Sequence, residues 1–396
     1  VDNKNILISG AGIAGPTLAF WLKRHGFTPT VIESAPAPRE GGYMIDFWGS
    51  GIDVAEKMGI FPELSRESYD IMEVTFVDEH WNRVGGFNFN SLSSALGGRM
   101  LNFLRSSLAN VLYSQTVGDV EYIFGDSIRT IVQEDDGVRV TFERGDSRRF
   151  DLLVGADGLH SLVRKLAFGN ESQFERYFGY YAASFTLDNY LKHDLSANYV
   201  SFTIPNKQAA LYRLRNNRLA TFFIFRHPEI LRYAHNDTEA QKEILRKKFN
   251  NEAWECPVLM DKMDTAPDFY FDSVSQIVMD GFSRGRVTLV GDAGYCPSLL
   301  SGQGSALAMA GAYVLAGELK AADGDYHTAF KKYEEIFRPF IELKQNTAKK
   351  FADSFVPETG FGLWLRNQIT RLMFLPFVSR WFWSGLLTDE LSLKEY

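Results

Sequence analysis

Three clusters of glycine and acid are the places where this chain could do chemistry, and none carries a catalytic triad or a metal-ligand spacing. The first is Gly10-Ala11-Gly12-Ile13-Ala14-Gly15, a fit to G-x-G-x-x-G. Asn5–Ser9 before it reads as a short buried strand. Pro16–His25 after it reads as a helix stopped by Gly26, and Thr28–Glu33 reads as the next strand. This is the βαβ setting in which the motif binds a dinucleotide. Gly10 permits the tight turn, Gly12 and Ala14 leave room for a pyrophosphate, and Gly15 lets helix and strand pack closely. The phosphates face the helix N-terminus, where free N–H groups and the dipole favour anions. Glu33 ends the second strand, where a carboxylate accepts ribose hydroxyls and repels a 2′-phosphate, favouring FAD or NAD over NADP at this position.

The second cluster is Gly155-Ala156-Asp157-Gly158, and the third runs from Gly291-Asp292 through Pro297 to Gly302-Gln303-Gly304. Asp157 stands between a strand and a helix, so it reads equally as a ligand contact and as a cap with Ser161 nearby. Asp292 at a strand end can accept a hydroxyl hydrogen bond. The glycines at 302 and 304 turn backbone N–H groups and a helix dipole toward a group that gains negative charge.

The elements that must position these clusters come from distant parts of the chain. After Glu33, Pro36–Gly42 reads as a loop. Met72–Phe89 alternates like a hairpin turning near Asp78–Asn82, and the stretch from Arg99 to Thr116 has helical period, with Leu101, Leu104, Leu108 and Leu112 on one face. From about Phe174 to Ile277 the chain reads as an antiparallel sheet interrupted by one helix. It then returns to a strand and a small-residue helix at Gly285–Ala322. The expected class is α/β: a discontinuous Rossmann-like dinucleotide-binding domain (1–72, 98–172 and 278–345), an inserted antiparallel-sheet substrate domain (73–97 and 173–277), and C-terminal helices (346–396) as a cap.

Composition narrows the function classes. A net charge of −7 argues against nucleic acid as a partner, because a phosphate backbone needs a basic face. Two cysteines, Cys256 and Cys296, cannot build a disulfide framework or a four-ligand zinc site, so no metal and a cytoplasmic setting are expected. The four histidines His160, His193, His227 and His235 are scattered and read as structural or solvated. An aromatic share of 14% leaves room for a planar ligand among the core rings.

The three clusters, in this order and over Asn5 to about Ala322, resemble the single-component FAD-dependent aromatic hydroxylases, the p-hydroxybenzoate hydroxylase-like flavoprotein monooxygenases. The resemblance implies that the first and third clusters embrace one extended FAD. It further implies that Asp157 is linked to both FAD and NAD(P)H, and that Arg105, with Arg39 as a weaker candidate, lies against FAD. NAD(P)H would visit transiently to reduce the flavin, and a flavin C4a-hydroperoxide would then pass one oxygen atom from O2 to the substrate. Two departures stand out: Tyr295 where the family often has histidine, and Gly311-Ala312 where it often has an acid-alanine pair. The substrate pocket is expected between the flavin and the middle sheet. Thr221, Phe223 and Phe225 would share one strand face, with Tyr212 and Arg213 next door and Pro297–Ser301 bending over the flavin.

The tail has two readings. Arg366, Arg371 and Arg380 with Trp364, Trp381 and Trp383 describe an interfacial membrane helix. The preferred alternative is a helix packed over the substrate mouth, resembling the tetracycline-inactivating branch of the family; polyketide-tailoring hydroxylases are the near alternative. Either branch implies a planar, oxygen-rich polycyclic substrate and a monomer or small homo-oligomer. A membrane-associated flavin hydroxylase or reductase of a quinone or isoprenoid is the reading from another class.

Overall fold

Ile6, Leu7 and Ile8 are fully buried, because their strand, Asn5–Ser9, lies in the middle of a parallel sheet covered on both faces. The computed structural model describes residues 3–38, 41–89, 93–94, 98–195, 198–234, 237–372 and 391–396. Arg39, His235, Arg380, Trp381 and Trp383 lie outside the described residues.

The sheet order is Ser283–Arg284, Val287–Leu289, Leu152–Gly155, Asn5–Ser9, Thr28–Glu33, Glu121–Phe124. All pairs are parallel except the first. The helix Ala14–Arg24 crosses from the first strand to the second. Gly10, at φ 106°, and Gly15 make this crossing possible: a Cβ on Gly10 would collide with Ala156 O, and one on Gly15 with Gly10 O. A second helix, Gly304–Ala321, is buried along most of its length because its alanines and glycines let neighbours approach on every side. Outside the sheet, Met44–Trp48 pairs with Met100–Leu104. The helical period expected from Arg99 therefore fails in its first half. Met100–Leu104 is a strand, and the helix covers Arg105–Ser114 only. Cross-strand pairing overrides the leucine spacing there.

A larger sheet stands beside this unit. Its order is Tyr270–Ile277, Glu175–Ser184, Arg218–Arg226, Lys207–Leu214, Asn198–Ile204, Glu73–Val77, Arg83–Asn88, with Thr186–Asp188 pairing Arg218–Arg226. Only Asn198–Ile204 and Glu73–Val77 run parallel, which stitches the hairpin 73–88 to the end of the sheet. The helices Thr238–Phe249 and Cys256–Lys262 contribute Leu245, Phe249, Leu259 and Met260 to a core shared with one face of this sheet. The other face looks toward the parallel sheet.

The helix Tyr326–Phe355 leads to a short helix, Gly360–Leu372, seated on the hairpin. Gly85 makes the seat: an added Cβ would lie 2.8 Å from Thr370 Oγ1 and 3.3 Å from Asn367 Cα. Thr370 Oγ1 accepts from Gly86 N (3.4 Å), and Arg371 Nε donates to Val84 O (3.0 Å). Phe361 (70%), Trp364 (56%), Leu365 and Ile369 are exposed, while Arg366, Asn367 and Thr370 turn inward. Among the described residues no helix is long and apolar enough to cross a membrane.

Candidate active site

One cavity of about 2000 Å³ runs from the glycine turn of the first strand to the inner side of the short helix. A single drug-sized ligand fills at most about 1000 Å³, so this space suits two ligands end to end. Gly10, Gly12, Ala14, Glu33, Arg105, Asp157, Asp292, Gly302 and Gly304 all line it, although the first and last are separated by most of the chain. Gly15, Gly291 and Pro297 stand just behind the wall as packing residues.

The walls match a dinucleotide. A Cβ on Gly12 would project toward Arg105 Nη2 (3.4 Å), so the missing side chain keeps open the gap between the helix N-terminus and a guanidinium. Glu33 Oε2 accepts from Ala11 N (2.8 Å) and Oε1 from Ala35 N (2.9 Å) and Ser34 Oγ (3.1 Å), which fixes the carboxylate at the strand end. Gly304 leaves similar space beside Asp292 Oδ1 (3.5 Å). Burial raises the Asp292 carboxyl above its ordinary range, opposed by Arg105 and by a hydrogen bond with Cys296. This donor set, a cation and N–H groups at one end and carboxylates at strand ends, fits a pyrophosphate with hydroxyl-rich arms.

Asp157 is both a wall residue and a cap. Its carboxylate accepts from Ser161 Oγ and from Val163 N (3.0 Å), and burial raises it despite those bonds. The fully buried Arg164 then ties this turn to the third cluster, donating to Ala293 O (2.9 Å), Leu159 O (2.7 Å) and Glu171 (2.6 Å). His160, read from sequence as merely structural or solvated, lies in the cavity wall between Glu171 and Asp272, 2.9 Å from each. Burial opposes its charge, but the two carboxylates prevail and raise the imidazole to about 10.

The segment after Asp292 is held under strain. Ser298 adopts φ 98° and ψ 144°, a conformation that side chains rarely take, so the surroundings must impose it. Two buried glutamines do so. Gln276 Nε2 donates to Pro297 O (3.0 Å) and Gln345 O (2.8 Å), and Gln345 Nε2 donates to Ile277 O (2.7 Å) and Cys296 O (3.3 Å). The two departures from the family pattern touch one another. Tyr295 is buried, its hydroxyl accepts from Tyr333 (2.9 Å), and a Cβ on Gly311 would collide with it.

At the far end the cavity becomes a chamber walled by Phe76, Phe87, Tyr199 and Phe222, with Asp46, Gln208 and Arg366 among the rings. The expected strand face needs correction here. Thr221 and Phe223 point away from the cavity. Thr221 Oγ1 bonds Phe185 backbone, and Phe223 packs edge-on against Phe249 (4.9 Å). Phe222, in the opposite phase, faces the chamber. Both faces of Arg218–Arg226 are buried, so no polar residue marks which one meets the ligand. Tyr212 does line the chamber, yet its hydroxyl accepts from Met44 N (2.8 Å) and so braces two sheets. Arg213 is turned to solvent toward Asp194 (3.5 Å). Sequence reasoning passed over Asp46, although an acid inside the apolar run Met44–Trp48 is itself a signal. Burial pushes that carboxyl up to about 6 against a hydrogen bond from Asn102 Nδ2 (2.6 Å).

Residues 3–340 match the family described as FAD binding domain. Uncharacterized protein Rv1260 of Mycobacterium tuberculosis is 44% identical over 349 residues, covering 86% of this chain and 92% of its own length. A flavin-dependent monooxygenase of Legionella longbeachae is 36% identical over 360 residues, covering 89% and 90%. Among solved structures, the tetracycline destructase Tet(51) superposes with a TM-score of 0.84 at 33% identity, covering 99% of both chains.

Proposed function

This chain belongs to the flavin-dependent monooxygenases built on an FAD-binding domain, and on that premise we propose that it oxygenates a planar, oxygen-rich polycyclic molecule, with tetracyclines as the first substrates to try. The observation that carries this reading is the single cavity joining a dinucleotide cradle to an aromatic chamber closed by the helix Gly360–Leu372. When bound, FAD supplies hydride acceptance from NAD(P)H and activation of O2.

The chain's own residues bind, orient and shield. Gly12, the helix N-terminus and Arg105 would hold the pyrophosphate, Glu33 the adenosine ribose, and Asp292 a hydroxyl of the central chain. The Gln276–Gln345 clasp sets the backbone of Cys296–Ser298, and because Gly302 N is held by Leu299 O and Gln303 N by Ser301 Oγ, it is the N-terminus of the helix Gly304–Ala321 that would face the ring system. Phe76, Phe87 and Phe222 offer flat apolar surface to a fused-ring substrate and exclude water from it. The test is NAD(P)H oxidation by FAD-loaded protein with and without tetracycline, following drug absorbance and mass. Stimulated oxidation with a gain of one oxygen atom supports the reading; bound FAD without any response to tetracyclines or other polycycles sinks it.

A second reading rests on the exposed Phe361 and Trp364, which suit a lipid surface and hence a quinone or isoprenoid substrate. Co-sedimentation with liposomes, lost on replacing Phe361 and Trp364 by Ser, would favour it.

A further inference from the structure

An amphipathic helix at a protein surface ordinarily turns its apolar stripe inward. Gly360–Leu372 turns a mixed face to the cavity instead: Arg366 and Thr370 line it beside Leu365 and Ile369, while Asn367 is half-buried. Thr370 and Asn367 are accounted for by the seat on Gly85 and Gly86. Arg366 faces Phe76 rather than Gly85 and Gly86. Its guanidinium lies 4.2 Å over the ring of Phe76, and both side chains form chamber wall. Asn367 Oδ1 accepts from Nε (3.4 Å) and Nη2 (3.2 Å), which holds the fork against the helix.

We propose that Arg366 is a specificity-determining residue of this chamber, selecting planar substrates that carry an anionic oxygen (carboxylate, phenolate or enolate) beside the ring. The proposal rests on the oxygenase reading above for its chamber but concerns binding alone. The chemistry follows from the arrangement. A guanidinium is a planar fork that pairs with two oxygens in its own plane, and the contacts with Phe76 and Asn367 Oδ1 hold it at the chamber wall. Burial lowers its pKa to about 10, which still leaves it charged at neutral pH. In a partly desolvated wall a charge discriminates ionised from neutral ligands far more sharply than it would in water. The aromatic rings then read flatness while Arg366 reads charge.

The experiment uses two probes of one shape, anthraquinone-2-carboxylate and its primary amide, titrated into FAD-loaded protein by fluorescence quenching. The wild-type protein should prefer the carboxylate by about tenfold or more. Arg366→Gln should bind both probes alike while keeping its full FAD content. Arg366→Lys, with charge but no fork, should recover part of the preference. Equal binding of the two probes by the wild type, failure of both to bind, or a preference that survives in Arg366→Gln would each overturn the assignment. Selective binding without oxygen transfer to any polycycle would leave it standing and sink the oxygenase reading instead, so the two failures are separable.

Discussion

Tyr295 and Gly311 lie sixteen positions apart and meet as hydroxyl against bare backbone, with Tyr333 donating to that hydroxyl. Each looks like an isolated departure from the family pattern; together they are one exchange of volume between a loop and a helix. Gly311→Ala should therefore cost about 1–3 kcal/mol through overpacking, and much less in a Tyr295→Phe background, where the clashing oxygen is gone. Urea denaturation of the four proteins measures that coupling. A second residue-scale prediction concerns Asp46. Its native carboxyl keeps a proton up to about pH 6, whereas the unfolded chain releases it near 3.8, so the native state binds more protons between these values. Stability from this group falls as pH climbs through that window and stays low above it. Asp46→Asn should be more stable than wild type at pH 7–8, by on the order of 1–3 kcal/mol, and the difference should vanish by about pH 4. At this scale the cofactor end was the legible part. Gly10, Gly12 and Glu33 carry their geometry in their own types, whereas Arg164 and Gln345 act on backbone carbonyls that their sequence neighbourhood does not mark.

Among the elements, the hairpin 73–88 matters more than its alternation suggests, because Gly85 leaves the space in which Gly360–Leu372 sits against it. Gly85→Leu should push that helix off its seat and raise KM for a polycyclic substrate several-fold. The FAD-to-protein ratio should stay unchanged, since no residue of the hairpin belongs to the glycine and acid clusters. Steady-state kinetics alongside flavin absorbance checks both halves. The hairpin itself was legible from its alternating residues and the Asp78–Asn82 turn, where Asp78 Oδ1 accepts from His80 N and Asn82 N. The phase of Arg218–Arg226 was not, because a strand buried on both faces lacks the polar beat that tells inside from outside. Met100–Leu104 misled for a related reason: leucines spaced like a helix were serving a two-stranded ribbon with Met44–Trp48.

For the whole molecule, the described end of the chain returns to the parallel-sheet side. Leu391 and Leu393 pack on the main core, Tyr396 donates to the buried Glu318 (2.8 Å), and Tyr313 donates to Lys394 O (2.8 Å). Tyr396→Ala removes ring packing and leaves a buried carboxylate short of a donor, so stability should drop by about 1–3 kcal/mol. Thermal unfolding of FAD-loaded protein would register this as a lower midpoint, with substrate affinity unaltered. The sheet order has a different consequence. Asn5–Ser9 waits for Leu152–Gly155, which waits for Val287–Leu289. Pairings of such long sequence separation make folding slow and leave apolar strands exposed meanwhile. On the ribosome, the first strand emerges nearly three hundred residues before its sheet can be completed, so the nascent chain is a natural client for chaperones and a sensitive one for premature termination.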